Sequence, residues 1–360
     1  MTGPRTRYDH NRESVAALLE HEPRFRVEQV WQGVFQRGLN PAELTSLPLP
    51  LRERLTQQLP PALTSVASAR DGAFPHETSK WLWEVGGGFQ VETVLMGYPR
   101  RATVCVSTQA GCAMACAFCA TGQAGFDRHL SAGEVIEQIV VADREARALG
   151  RPRVDNVVFM GMGEPLANYG ATMAAVRWAR DDFGLSARNL TVSTVGLVPG
   201  IERLTADGTP VNLAVSLHAA NDTDRDELVP INRRYQLSVL ADACSRYVQH
   251  TRRRLSLEWA LIAGRNDTPT AAHELADFAR PLRAHVNLIP LNPTAGFTTR
   301  GSTHERVRQF RERLAELGVN VTVRANRGTR IDAACGQLRE RLHATSVVVS
   351  PARKSGNERT

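Results

Sequence analysis

The sequence predicts an α/β protein: a partial (βα)6 TIM-like barrel preceded by a small N-terminal helical accessory domain and a β extension. From about residue 102, apolar strand segments alternate with helical ones. VCVS, NVVFMG, LTVST, VNLAVSLH, LSLEWALI and HVNLIPL make six βα units, followed by NVTVRAN. Repeated βα units mean a parallel sheet covered by helices, and no Rossmann glycine fingerprint follows the first strand, which points to a barrel. The segments richest in chemistry, namely the cysteines, GMGEP, STVG, SLH and LNP, fall at C-terminal strand ends. Barrel folds place their active sites there.

Residues 15–60 read as helical, within an accessory domain spanning residues 1–75. Val27, Val30, Trp31, Val34 and Phe35 follow the i, i+3, i+4, i+7, i+8 spacing of one buried face. The stretch SLPLPLRERL is expected to punctuate the helices. No catalytic constellation occurs there, and a structural cap is the plain alternative. KWLWEV, GGG, FQVETVLM and RATVCVS then suggest an antiparallel β extension over residues 76–101. The barrel core is expected over residues 102–344. It includes a helix starting at Ser131, with Ser131 as N-cap and Glu134 completing a capping box. Residues 345–360, ending SPARKSGNERT, have the composition of a disordered tail.

Hydrophobic residues make up 42% of the 360-residue chain and charged residues 22%, ordinary for a soluble globular protein. The N-terminal stretch MTGPRTRYDHNRES has no apolar region of the signal-peptide kind. No run approaches the length of a membrane span. The expectation is a cytoplasmic protein with no membrane partner, where clustered cysteines bind metal or do redox work. The net charge is +7, which permits nucleic-acid binding. Nearly all basic residues are arginine, with lysine only at Lys80 and Lys354, so compositional bias accounts for part of that charge. Arginines gather at Arg252, Arg253 and Arg254 and again at Arg324, Arg327 and Arg330.

Four of the six cysteines lie within CVSTQAGCAMACAFC. Cys112, Cys116 and Cys119 form C-x3-C-x2-C, while Cys105 stands apart at the end of the preceding strand. Thiolates suit zinc or iron–sulfur clusters. A structural zinc site takes four ligands, usually as two pairs, and here three sit in one loop with Cys244 and Cys335 isolated. Three thiolates suit a 4Fe–4S cluster with one iron left open to a ligand. Phe118 can shield such a cluster, and Cys244, in LADACSRYVQH, reads as a core residue.

This spacing after the first strand of a six-unit βα barrel resembles the radical S-adenosylmethionine superfamily. CVSTQAGCAMACAFCATGQAGFDRHLSAGEVIEQ, VVFMGMGEPLAN, VSLHAANDTDRDELVPIN, LIPLNP and RIDAACGQL together resemble its adenine-carbon-2 RNA methyltransferases (RlmN-type) over residues 15–342. The resemblance implies a radical SAM barrel, an RNA-binding role for the accessory domain, and 23S ribosomal RNA and tRNA as substrates. It implies a 4Fe–4S cluster held by Cys112, Cys116 and Cys119, whose open iron binds S-adenosylmethionine, two molecules being used per turnover. A one-electron reductant such as flavodoxin or ferredoxin completes the partners.

The same resemblance assigns roles residue by residue. Cys335 is the methyl carrier in the C-terminal loop, and its S-methyl group yields a methylene radical that adds to adenine carbon 2. Cys105 then attacks the bridging sulfur, releasing the RNA and leaving a Cys105–Cys335 disulfide. Glu92, in FQVETVLM, is the base for the carbon-2 proton; by pattern alone it is a strand carboxylate on a solvated face. Gly163 and Glu164 contact the methionine part of the cofactor. Ser193, Ser216, Leu217, His218 and Asn292 contact its ribose and carboxylate, and the plain alternative for each is a polar strand-end residue satisfied by backbone. Glycines at the strand end in GMGEP let backbone groups approach a ligand closely. One departure stands out: Arg330 occupies a place where an acidic residue is common in the family. The rival readings are a related adenine carbon-8 methyltransferase and a zinc-stapled RNA-binding module without catalysis.

Overall fold

The computed structural model of the chain describes residues 5–292, 294, 296, 297, 299–324, 328, 331, 333 and 337. The expected methyl carrier Cys335, the arginines Arg327 and Arg330, and the tail expected from residue 345 lie outside the described residues.

Three short helices open the chain: α1 (Arg12–Leu18), α2 (Phe25–Val30) and α3 (Leu49–Gln58). Asn11 caps α1 by accepting from the Ser14 N–H. After α2 the chain continues as a π turn, Trp31–Gln36, in which Trp31 and Phe35 stack with ring centroids 4.2 Å apart. Val30, Trp31, Val34 and Phe35 are buried as their spacing predicts, while Val27 is half-buried. The proline-rich stretch starts a helix rather than separating two: Pro48 is the N-cap of α3 and Pro50 sits in its first turn. Proline is tolerated there because the first N–H groups of a helix lack intrahelical partners.

One curved sheet of ten strands forms the body. Its order is β1 (Thr64–Asp71), β2 (Thr78–Val85), β3 (Phe89–Tyr98), β4 (Arg101–Cys105), β7 (Asn156–Phe159), β8 (Leu190–Thr194), β9 (Asn212–Ser216), β10 (Leu255–Leu261), β11 (His285–Pro290) and β12 (Asn320–Val323). A separate hairpin pairs β5 (Gln109–Gly111) with β6 (Phe126–His129). Strands β1 to β4 run antiparallel, and every pair from β4 to β12 is parallel. The six expected barrel strands and the following one are all present. Strand β1 was not legible in the sequence: TSVASARD is an edge strand with a mostly exposed pattern, so it lacks the apolar alternation that marks a half-buried strand.

The helices α5 (Ala132–Ala148), α6 (Tyr169–Asp181), α7 (Val198–Asp207), α9 (Leu237–Thr251), α10 (Pro269–Ala279) and α11 (His304–Glu316) form the outer layer, with short α4 (Ala120–Ala124) and α8 (Asp222–Leu228) in loops after β5 and β9. Ser131 caps α5 and the Glu134 carboxylate returns to the Ser131 N–H, completing the expected capping box. Val157, Phe159, Val192, Leu213, Val215, Leu257, Trp259, Val286 and Leu288 point outward and are fully buried under these helices. Alternate residues point into the lumen and are more polar, among them Ser216, Glu258 and Asn287. The accessory helices dock on α5 and α6. Trp31 Nε1–H donates to Asp182, Trp178 Nε1–H donates to the Phe35 carbonyl, and Asp9 accepts from the Gly133 N–H. Among the described residues no helix is long and apolar enough to cross a membrane.

Candidate active site

At the C-terminal ends of β7 to β11 a cavity opens into the lumen, enclosing about 1050 Å³ of space including its mouth. Cys112, Cys116 and Cys119 line one wall, with Phe118 beside them; Gly163, Glu164, Ser193, Ser216, His218 and Asn292 line the rest. Residues far apart in sequence meet there because each follows, or ends, a parallel strand of the same barrel.

The cysteine loop is held by backbone contacts. The Ala117 N–H donates to the Leu228 carbonyl and the Cys119 N–H to the Cys116 carbonyl, each over 3.1 Å. Gln123 of α4 donates through Nε2 to the Ala117 carbonyl and to Thr294 Oγ1, tying the loop to the segment after β11. Burial pushes the Cys112 thiol up to about 12 and holds Cys116 well above the usual thiol range, each raised further by the neighbouring cysteines. Such thiols stay protonated unless a bound cation draws off their protons. Three soft donors on one wall of the cavity, two of them raised by burial, fit an iron–sulfur cluster, and Cys112, Cys116 and Cys119 are the residues that would hold it.

Beside the cysteines, GMGEP leaves β7. A Cβ on Gly161 would lie 2.7 Å from the Val106 carbonyl oxygen, and one on Gly163, at φ +100°, would lie 2.5 Å from Gln109 Cβ. Only glycine permits both approaches. Gln109 Oε1 in turn accepts from the Glu164 N–H over 2.7 Å. The Glu164 carboxylate accepts from the Val195 and Leu166 N–H groups, yet burial still raises it to about 7. A buried carboxylate poised in this way suits a cationic or amine ligand, whose charge would favour the ionised form.

The opposite wall is built by β9, β10 and β11. His218 has a left-handed backbone, φ +59°, and its Nδ1 accepts from the Ala260 N–H over 2.9 Å. A backbone N–H can only donate, so the ring proton is on Nε2. Burial drops His218 to about 3, leaving a neutral donor, and Phe118 packs edge-on against the ring at 4.6 Å. Asn292 is buried on the same wall. Two of the expected residues differ in kind. Leu217 is not among the lining residues: its side chain belongs to the outer core, and its N–H donates to the Glu258 carbonyl. Ser193 lines the cavity but its hydroxyl already donates to the Phe159 carbonyl over 2.7 Å.

Glu92 and Cys105 are not among the residues lining this cavity; they stand on the adjoining concave face of β3 and β4. Val94 of β3 pairs with Cys105 of β4, and Cys105 with Val158 of β7, two residues before the cavity-lining Met160. Glu92, two residues from Val94, is on the same face as Cys105. The pattern favoured a solvated face for Glu92; it is 0% exposed and ion-paired to Lys80. The Arg252–Arg254 run precedes β10, at the barrel end opposite the cysteines, whereas Arg324 follows β12 at the site end and reaches Met96 of β3. Cys244 is a core residue of α9.

Sequence reading missed Glu258. It is 6% exposed, lines the cavity, accepts from Asn287 Nδ2 over 2.7 Å and is raised by burial. The signal was a single carboxylate inside the apolar strand LSLEWALI. It also missed Arg225 of α8, fully buried, which donates to the Val195 and Leu217 carbonyls and to Asn232 and so braces the loops after β8 and β9.

Residues 106–279 match the Radical SAM superfamily. The chain is 50% identical over 338 residues to the probable dual-specificity RNA methyltransferase RlmN of Thermobifida fusca, covering 91% of each chain. It is 46% identical over 353 residues to the dual-specificity RNA methyltransferase RlmN 1 of Myxococcus xanthus, covering 94% of this chain and 95% of that one. Among solved structures, a radical SAM methyltransferase from Sphaerobacter thermophilus superposes with a TM-score of 0.88 at 46% identity, over 94% of this chain and 100% of the other.

Proposed function

The chain belongs to the dual-specificity RNA methyltransferase RlmN family of the radical SAM superfamily, and from that premise we propose how its residues methylate carbon 2 of adenosine in 23S ribosomal RNA, at the peptidyl transferase centre, and in tRNA beside the anticodon. Carbon 2 of adenine is an electron-poor sp2 carbon and no nucleophile, so a polar transfer from a methyl donor is ruled out. The 4Fe–4S cluster and S-adenosylmethionine, when bound, supply the one-electron chemistry that replaces it.

The protein's own residues bind, orient and move protons. Cys112, Cys116 and Cys119 hold the cluster, and Glu164 accepts from the cofactor's amino group while Gly163 lets the backbone approach it. His218 offers its Nε2–H, and Ser216 and Asn292 add hydroxyl and amide groups for the ribose and carboxylate; Ser193 and the backbone of Leu217 support that wall. Cys335 carries the methyl group through its sulfur, Glu92 accepts the carbon-2 proton, and Cys105 releases the RNA by bonding to the Cys335 sulfur. A small flavin or iron–sulfur protein serves as reductant in the cytoplasm, and the accessory helices contribute to RNA binding.

The observation that carries this reading is the placement of Glu92 and Cys105 on one concave face beside the cavity that gathers the three cysteines. Nuclease digestion and mass spectrometry of ribosomal RNA and tRNA from cells lacking the gene, with and without complementation, test it. The expected result is loss and restoration of 2-methyladenosine. Restoration of 8-methyladenosine instead would transfer the chain to carbon-8 chemistry.

A further inference from the structure

Lys80 is one of two lysines in a chain whose other basic side chains, histidines aside, are all arginine, and it is 1% exposed. It stands on β2 in register with Val94 of β3, which is itself in register with Cys105 of β4. Residues in register share a face, and so do residues two apart on one strand. Lys80, Glu92 and Cys105 therefore point the same way. Lys80 Nζ lies 3.0 Å from Glu92 Oε2. Because β3 runs antiparallel to β4, Glu92 lies beyond the row of Cys105, toward the barrel end where the cysteine loop begins.

Stability alone does not account for this pair. Taking two charges out of water costs several kcal/mol for each ion, and their attraction does little more than repay it. An apolar pair of similar volume would serve the sheet as well. A second deeply buried pair at the sheet, Arg151 with Glu77, has the arginine expected of this composition, and its guanidinium also donates to the carbonyls of Pro75, Tyr98 and Arg101. Lysine at position 80 instead supplies a compact point charge on a flexible stem.

We infer that Lys80 is the positioning residue of the proton-accepting step: its ammonium keeps Glu92 ionised in a dry site and aims the carboxylate at the lumen. The inference rests on the reading of Glu92 as the base. In that step the carbon-2–hydrogen bond breaks, its electron pair stays with the adenine ring, and the proton forms an O–H bond on Glu92. Lys80 takes no part in that transfer. A carboxyl buried without a cation beside it takes up a proton instead of staying charged, and a protonated carboxyl can accept no second one. Among the described residues, the other charged or titratable groups packed around β3 include Glu84 of β2, Cys105 of β4, Arg324 beyond β12, and Glu134 and Glu137 of α5, with Arg128 over Phe89 and Glu77, Arg101 and Arg151 beside Gly97 and Tyr98 at its far end. Helix α5 meets the opposite face, where Gln138 accepts from Thr93.

Infrared difference spectra of the full chain, referenced to E92Q, read the ionisation of Glu92 without turnover. Wild type is expected to show carboxylate bands at neutral pH. K80M is expected to show a carboxylic-acid carbonyl band that the K80M/E92Q double variant lacks, and K80R to keep the carboxylate. In methyl-transfer assays K80M should lose about tenfold or more at neutral pH and recover as pH rises, while the loss in K80R is the same at every pH. A protonated Glu92 in the wild type, or a K80M with Glu92 still ionised and a pH-independent loss, overturns the inference. Should K80M fail to fold, K80Q carries the same comparison. E92Q separates the two readings: methyl transfer by E92Q at the wild-type rate removes Glu92 as base, whereas a pH-independent loss in K80M removes Lys80 while leaving the base in place.

Discussion

The Ala260 N–H donates to Nδ1 of His218 over 2.9 Å, so protonating this imidazole would set two donors against each other inside the protein. Burial holds His218 at about 3, against 6.5 in a solvated chain. The folded state thus binds fewer protons than the unfolded one between those values, and stability rises with pH across the window. The contribution is fully present above pH 6.5 and is lost as pH falls from 6.5 toward 3. It is on the order of 5 kcal/mol at most. Denaturant midpoints of cluster-free protein should fall more steeply below pH 6.5 in wild type than in H218N, where asparagine tolerates the left-handed backbone.

Replacing Gly163 by alanine is expected to disable the cofactor wall without unfolding the protein. The new methyl group would collide with Gln109 Cβ at 2.5 Å, displacing the side chain that accepts from the Glu164 N–H. Backbone strain of this kind costs about 1–3 kcal/mol, which a barrel of this size tolerates. Equilibrium binding of S-adenosylmethionine to reconstituted G163A should weaken by about tenfold or more, at about 1.4 kcal/mol per tenfold, with a small change in melting temperature.

Alanine at Cys112, Cys116 or Cys119 should abolish cluster assembly. Iron analysis and the visible spectrum of anaerobically reconstituted protein measure this directly. A variant that retains a full iron complement and brown colour would show that its thiol is not a ligand. Near-native circular dichroism is expected for all three, because the loop is also held by backbone hydrogen bonds to Leu228 and within itself.

The two reactive cysteines should fail at different stages. With Cys335 as the proposed methyl carrier, C335A should assemble its cluster and transfer no methyl group. With Cys105 as the proposed resolving thiol, C105A should load the carrier and bond to RNA without releasing it, so protein covalently joined to RNA should accumulate. Denaturing gels of both variants made in cells, with and without nuclease, distinguish these outcomes. Methyl transfer by C335A, or no retained RNA on C105A, contradicts the two-cysteine route.

Affinity for substrate RNA should fall as salt rises, with a slope set by the number of phosphates contacted. Arg324 stands at the site end of the barrel, while Arg252–Arg254 stand at the opposite end. R324A should therefore lower the salt slope by about one phosphate, and substitutions in the 252–254 run should leave it unchanged. Filter binding over a salt series reads both.

The barrel and its cysteine loop were legible because their signals are local. Alternating apolar segments encode parallel βα units, and C-x3-C-x2-C brings three thiols together within one loop of 8 residues, whatever the remainder of the chain does. Pattern alone misread Glu92 as solvated, since the exposure of a strand's face depends on what lies over it. Here β2 and β3 extend the barrel's concave wall, and the register across β2, β3 and β4 sets Lys80, Glu92 and Cys105 side by side from positions up to 25 residues apart. The same holds for Glu258, a lone carboxylate whose meaning came from facing the lumen, and for His218, whose tautomer depends on an N–H donated from the neighbouring strand, 42 residues on. The sequence by itself determined the family, the fold and the chemical inventory, because these follow from residue type and short spacing. Tertiary structure decided which charges are buried together, because burial and pairing are properties of strand register and curvature that no segment carries alone.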